Sequence, residues 1–299
     1  MQFYELLKLA NIKNAPKQER YFRMAHYRAS KKIEKGFGSE TDFIDIILEY
    51  LEDMFESKEE AYKDKNTISD VINKVTELNV KYKSLLNTNA GSILNQLELG
   101  KANVLDLGQV DEYTAEVLVA HILRTALNSR KDYIKNNDET ALSYPVFFVV
   151  EEAHILAPKN RKSDSKNWIT RVAREGRKFG LGLCLVSQSP KSVDGETLSQ
   201  ANNMIILRLV EPNDQKHVQQ ASESLSEDLV NQLPSLNIGE ALVLGLMTRI
   251  PTLVKINEFK GRQRGGDLDI LKQWKSEKEK DEKETKKTID NIESMDGGY

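Results

Sequence analysis

The sequence predicts an α/β protein. A mostly parallel sheet with flanking helices is preceded by an all-helical bundle and followed by a charged helical tail. Three observations carry this reading. Before about residue 88, apolar residues recur at helical spacing. From about residue 91, short apolar runs alternate with helical patterns, as when strands are joined by crossover helices. One run, Val146–Val150, stands between Pro145 and the adjacent acids Glu151 and Glu152. Its length and Val/Phe content are those of a strand buried at the centre of a parallel sheet.

Residues 3 to 28 read as helical with a break near Pro16, which cannot continue a helix from its preceding turn. Ile44, Ile47, Leu48, Leu51, Met54 and Phe55 form one helical stripe, with Ser39 and Asp42 as its capping signal. Ile68, Val71, Ile72, Val75, Leu78, Tyr82, Leu85 and Leu86 form a second, with Thr67 and Asp70 as a similar start. Both stripes read as bundle core rather than a cofactor surface. The character changes over the polar run 87–91. Then come a strand at 103–107 and a helix capped by Asp111 that carries Val117, Leu118, His121, Ile122 and Leu123. After the acid-tipped strand come a helix over 165–179, stopped by Gly180, and strands at 183–187, 204–209, 240–245 and 252–256. From about 265 apolar residues thin out; Lys275, Glu279, Lys283 and Lys287 fall on one helix face. That tail is a solvated helix, or an arm docked through Leu268, Ile270, Leu271 and Trp274. The expected divisions are 1–90 (helical bundle), 91–262 (α/β core) and 263–299 (charged tail).

A formal net charge of −3 gives no global pull toward nucleic acid, so any such contact must be a local basic patch. The single cysteine, Cys184, sits in an apolar run and reads as a buried thiol in a reducing, cytoplasmic setting. No stretch reaches the ~18–20 apolar residues of a membrane span. The four histidines are scattered, without zinc-ligand spacing.

Glu151 and Glu152 stand at a strand exit, where open α/β sheets place their ligands. In nucleotide-driven motors the first acid of such a pair holds Mg²⁺, usually through water, and the second activates the attacking water. The plain alternative is two exposed acids. About thirty residues on, another apolar run ends in Ser187-Gln188-Ser189-Pro190. An amide there can hydrogen-bond a γ-phosphate and a water together without adding charge. Alone, Gln188 reads as part of a turn; beside the two acids it reads as a phosphate sensor. Between them Arg171, Arg174, Arg177 and Lys178 crowd one helix face, either solvated or offering an arginine finger across a subunit boundary. The basic loop 158–162 reads as a mobile surface loop or a DNA-phosphate contact. No phosphate-loop pattern G-x-x-x-x-G-K-[ST] occurs, and Gly100-Lys101 lacks its first glycine and its hydroxyl residue.

The runs Val-Val-Glu-Glu-Ala-His, Arg-Val-Ala-Arg-Glu-Gly-Arg-Lys-Phe-Gly, Leu-Val-Ser-Gln-Ser-Pro and Ile-Leu-Arg-Leu-Val-Glu-Pro-Asn-Asp together resemble the archaeal HerA family of hexameric DNA translocases. That group belongs with the HerA/FtsK motor ATPases. The resemblance covers roughly 91–260, and the helical part before it fits an insertion in this family. It implies an incomplete RecA-like core corresponding to the C-terminal part of such a protein, without the family's barrel and phosphate loop. It further implies ATP and Mg²⁺ as cofactors, Glu151 serving the metal, Glu152 as catalytic base, Gln188 as sensor and Arg177 as trans-acting finger. Arg174 joins Glu151 as a nucleotide-binding residue. Double-stranded DNA, a NurA-type nuclease and a homo-hexamer are the implied partners, in the processing of DNA ends. A non-catalytic assembly module and a conjugation- or packaging-type motor are the alternatives.

Overall fold

Pro16 divides the N-terminal helical pattern into α1 (Phe3–Leu9) and α2 (Pro16–Glu34), and occupies the first turn of α2, where its missing N–H costs nothing. A computed structural model describes residues 3–12, 15–37, 43–82, 93–222, 224–261 and 270–278. The two apolar stripes become α3 (Phe43–Glu56) and α4 (Lys65–Tyr82). Phe22, Ile47, Leu51, Met54, Ile68 and Val71 meet in a single bundle core with almost no exposure. Phe55, at the edge of its stripe, is exposed instead. The expected start of α4 is corrected: Asp64 Oδ1 accepts from Thr67 N at 3.3 Å, so Thr67 and Asp70 lie inside the helix. Ser39, Asp42, Leu85, Leu86 and the boundary at 87–91 lie outside the described residues.

Asp111 caps α5 (Glu112–Asn136) as the sequence predicts, its Oδ1 accepting from Thr114 N at 3.0 Å. Its Oδ2 also accepts from Lys81 Nζ at 3.0 Å, which ties α4 to α5. Burial alone would raise this carboxyl, but the Thr114 donors and Lys81 outweigh it and hold the pKa at about 2. The folded value lies below the unfolded one, so this stabilisation is complete above pH ~4 and lost as the pH falls through about 2. Asp111→Ala is expected to cost ~1 kcal/mol in urea unfolding at pH 7. The gap from the parent should close as the same titration is repeated between pH ~4 and ~2.

The acid-tipped run forms β1 (Val146–Val150) and pairs in parallel with β2 (Leu181–Leu185), in register from Val146↔Leu181 to Val150↔Leu185. The connection passes through α6 (Ala153–Leu156), α7 (Asp164–Glu175) and a 3-10 turn over Gly176–Phe179. Val146, Phe148, Val150, Leu181, Leu183 and Leu185 face the core built with α5 and α7. Phe147 and Val149 are 68% and 58% exposed. The expectation of a strand buried on both faces is therefore corrected. Among the described residues β1 pairs with β2 only, and one face of the pair is bare. Cys184 lies on that face and is only half-buried, against the expected buried thiol. The expected strand at 103–107 is also absent: 102–107 joins no ladder, and Val104 is 87% exposed. Apolar content alone does not make a strand where no neighbouring strand accepts its hydrogen bonds.

The chain continues through α8 (Gly195–Ser199), β3 (Asn203–Ile206), α9 (Pro212–Ala221), α10 (Glu227–Gln232), β4 (Glu240–Gly245) and β5 (Thr252–Lys255). β3, β4 and β5 form a separate antiparallel sheet. "Mostly parallel" is thus corrected to one parallel pair and one three-stranded antiparallel sheet among the described residues. The short link between β4 and β5 can only return the chain as a hairpin. Ile206, Leu242, Leu244 and Leu233 close this third core.

Gly180 ends the 3-10 turn with φ 72°, and an added Cβ would lie 3.2 Å from Arg130 Nη2 and 3.4 Å from Pro145 Cβ. Buried Arg130 donates to Phe179 O at 2.8 Å and to Leu142 O at 2.9 Å, fastening the end of this turn to α5. Gly180→Ala is expected to cost ~1–2 kcal/mol from the left-handed backbone alone, read as a lowered urea midpoint with unchanged slope.

Met1–Lys255 form one unit and Ile256–Tyr299 another. In the second, 270–278 is helical, with Ile270, Leu271 and Trp274 exposed. Leu268, Glu279, Lys283 and Lys287 lie outside the described residues. Among the described residues no helix is long and apolar enough to cross a membrane.

Candidate functional site at the paired strand exits

The parallel register of β1 and β2 delivers their exits side by side. Val186 N donates to Val150 O and Ala153 N to Val186 O, each at 2.9 Å, so the two chains stay joined beyond the ladder. This brings together the two segments that the sequence singles out. Gln188 Nε2 lies 3.2 Å from Glu152 Oε1 and donates to it.

Glu152 turns the chain from β1 into α6 with φ 49° and ψ 45°, a left-handed conformation that costs a non-glycine residue ~1–2 kcal/mol. Such strain persists where the surroundings fix it, and it gathers at functional sites. Glu152 Oε2 is buried without a hydrogen bond. His154 Nδ1 lies 3.3 Å from it, close enough to pair when protonated but poorly aligned to donate. The same nitrogen is 3.2 Å from Ser187 Oγ, so His154 bridges the two exits. Glu151 is exposed and has no hydrogen bond or ion pair among the described residues. Here the chain holds one strained carboxylate oriented by an amide, and beside it one carboxylate facing solvent. No group of three or more metal-ligating side chains occurs among the described residues. One or two carboxylates with water suit Mg²⁺, which keeps most of its hydration, better than a dedicated protein cage.

The loop after Gln188 is anchored by Lys191, and by Glu211 and Asp214 of the Glu-Pro-Asn-Asp run, which the sequence reading gave no role in the site. Lys191 N donates to Asp214 Oδ1 at 2.8 Å, and Asp214 is buried. Glu211 caps α9 through Asp214 N at 2.8 Å and lies 3.2 Å from Lys191 Nζ. Burial would raise Glu211, but the Asp214 N–H, the Asn213 amide and Lys191 hold its pKa at about 2. The signal was available: Glu-Pro-Asn-Asp is a helix start, and a second acid three residues after the cap can turn back toward a neighbouring loop.

The basic helix separates into residues with and without partners. Arg171 pairs with Glu175 and stacks over the Trp168 ring at 5.0 Å. Arg174, expected at the nucleotide, pairs with Glu196 instead. Arg177 is exposed, and its guanidinium has no hydrogen bond or ion pair among the described residues. It precedes β2 while Glu152 follows β1, so strand rise alone sets them ~15–20 Å apart. The structure therefore does not join Arg177 to Glu152 within one chain. The loop at 158–162 lies on the surface and is held at three of its residues. Lys159 N donates to Ser192 O at 2.9 Å, Lys166 Nζ to Pro158 O at 3.0 Å, and Arg161 pairs with buried Glu116. A depression of about 350 Å³ lined by Lys8, Lys74, Lys81, Tyr82 and Asp111 lies away from the strand exits.

Comparison with known proteins matches the profile described as "Helicase HerA, central domain" over residues 1–126 and that of "Helicase HerA-like C-terminal" over 138–261. The chain belongs to the HerA helicase family. A probable helicase of Methanocaldococcus jannaschii is 40% identical over 275 residues, 91% of this chain and 53% of that protein. The DNA double-strand break repair helicase HerA of Sulfolobus acidocaldarius is 39% identical, over 88% of this chain and 53% of that protein. The chain thus spans about half the length of these curated relatives. The structure of VirB4 from Thermoanaerobacter pseudethanolicus shares the fold, with a TM-score of 0.56 over 86% of this chain and 68% of that one, at 16% identity. The C-terminal profile includes the strand-exit residues Glu151, Glu152 and Gln188 and the supporting Asp214.

Proposed function

We propose that this HerA-family chain supplies the acid-and-amide half of the ATP-hydrolysis site of a ring-shaped, double-stranded DNA translocase that processes DNA ends. The observation that carries the reading is the contact of Gln188 with Glu152 across two parallel strand exits. Glu152 takes the proton of the attacking water, and Gln188 holds Glu152 and the water in line. His154 steadies the enclosed Oε2 from the other side. Glu151, solvent-facing and without a side-chain partner among the described residues, would hold Mg²⁺, which would neutralise the phosphate charge of bound ATP. Arg177 serves a neighbouring subunit's site, because its own Glu152 lies too far along the strand pair. Arg174 reaches nucleotide only by leaving Glu196. A homo-hexamer and a NurA-type nuclease complete the assembly in this reading.

A non-catalytic module has no use for a strained Glu152 held against Gln188, and that contact favours the motor over the module. The sequence holds no phosphate loop, so the 299-residue chain by itself is expected to turn over ATP near background. The test joins this chain to the part of the Sulfolobus acidocaldarius relative that it does not match. DNA-stimulated phosphate release by the fusion supports the proposal. Robust, Glu152-dependent hydrolysis by the chain alone overturns it.

A further inference from the structure

We infer that the outward face of α2 is a second nucleic-acid contact, a ridge that grips the phosphate backbone of duplex DNA outside the strand-exit site. The chain as a whole carries −3, yet α2 holds six Lys/Arg against Glu19 and Glu34. Its inward face is apolar: Tyr21, Phe22, Ala25 and Ala29 are buried in the bundle. At 100° per residue the opposite face presents Arg20, Tyr27 and Lys31, with Lys17 and Arg28 on its flank and Lys35 just past the helix end. All six are exposed.

Most of this charge is unspent. Arg20 and Lys35 meet no carboxylate among the described residues, and Arg28 donates only to the Tyr62 hydroxyl, at 2.8 Å. Lys17 and Lys31 make only exposed pairs, with Asp64 at 3.3 Å and Glu34 at 3.0 Å, which are easily exchanged for phosphate. Tyr27 stands 62% exposed among them with Lys31 over its ring, a polar-tipped surface rather than an apolar one. From Lys17 to Lys35 the ridge runs ~27 Å by helix rise, close to the length of one duplex turn. A row of cations on a rigid helix is read by charge and fits phosphates of any sequence. The acidic exposed face of α3, with Asp45, Glu49, Glu52, Asp53 and Glu56, makes a second copy of this chain the competing occupant. Exposed protein ion pairs give little affinity, whereas counterion release from DNA rewards each cation, so the observations favour DNA.

The test is fluorescence anisotropy of a labelled random-sequence 30-base-pair duplex with the full 299-residue chain, titrated from 50 to 200 mM salt. It needs no nucleotide, so its outcome is independent of the hydrolysis site proposed above. Arg20→Glu with Arg28→Glu and Lys31→Glu is expected to weaken binding at least tenfold at 100 mM salt and to flatten the log–log salt slope by about three. An equal charge change elsewhere, Lys58→Glu with Lys101→Glu and Lys216→Glu, should shift affinity less than threefold. Circular dichroism of both variants checks that the fold is kept. The inference fails if the unaltered chain shows no saturable binding, or if the two triple variants behave alike. It also fails if the α2 variant changes only the sedimentation coefficient, which would assign the ridge to a second copy.

Discussion

Glu152→Gln is expected to lower DNA-stimulated ATP hydrolysis by ~10²–10⁴-fold in the fusion described above, the usual contribution of a positioned general base. The amide is nearly the same size, so the left-handed backbone and the contact with Gln188 are retained while the proton acceptor is lost. Nucleotide affinity should change little, because binding and proton removal are separate tasks of the site. Phosphate release and nucleotide-analogue binding, measured on the same preparation, separate the two. Retained hydrolysis in the Gln variant would remove Glu152 from the role of base. Loss of binding along with turnover would make it a nucleotide ligand instead. Glu151→Gln is the useful comparison, because that carboxylate is exposed and unpartnered and its loss should be partly offset by raised Mg²⁺.

Arg177→Ala in the same fusion is expected to cost ~10³-fold in turnover, at the lower end of what arginine fingers contribute. The register of β1 and β2 sets this residue at the wrong end of the strand pair for its own Glu152, so the effect must pass between subunits. Mixing Arg177→Ala with Glu152→Gln protomers should therefore restore measurable activity. In a mixed ring some boundaries join an intact Glu152 from one variant to an intact Arg177 from the other. The restored rate should follow the statistics of random mixing across a titration of the two variants. If no ratio restores turnover, Arg177 acts within its own subunit or only on structure. Arg174→Ala, which releases Glu196, should fall well short of this loss.

The helical stripes were legible because burial on one side of a helix leaves a period that no other structure produces. Ile47, Leu51, Ile68 and Val71 all reached the core that their spacing implied. The strand-exit site was legible in its members but not in its geometry. Apolar runs ending in Glu-Glu and in Ser-Gln marked two exits, and the fold had to make them neighbours. Where the reading went astray, the missing information was about partners. The run at 103–107 has strand composition but no adjoining strand. Val146–Val150 has the composition of a central strand, yet Phe147 and Val149 stand bare. Composition records what a segment is built to bury against; it does not say whether that surface lies beside it among the described residues. The contact of Asp214 with Lys191 was illegible for a related reason, since it joins a side chain to a backbone N–H far apart in sequence.

The sequence by itself determined the family, the helical bundle, the cap of α5, the β1 strand and the residue types at the strand exits. Each of these rests on local periodicity, local hydrogen bonding or a short motif. Only the tertiary structure decided that Gln188 touches Glu152, that Arg174 is paired while Arg177 is free, and that β3, β4 and β5 run antiparallel. Those outcomes depend on strand register and on competition among carboxylates for each cation. Both are set by which segments pack together, and local sequence does not encode that.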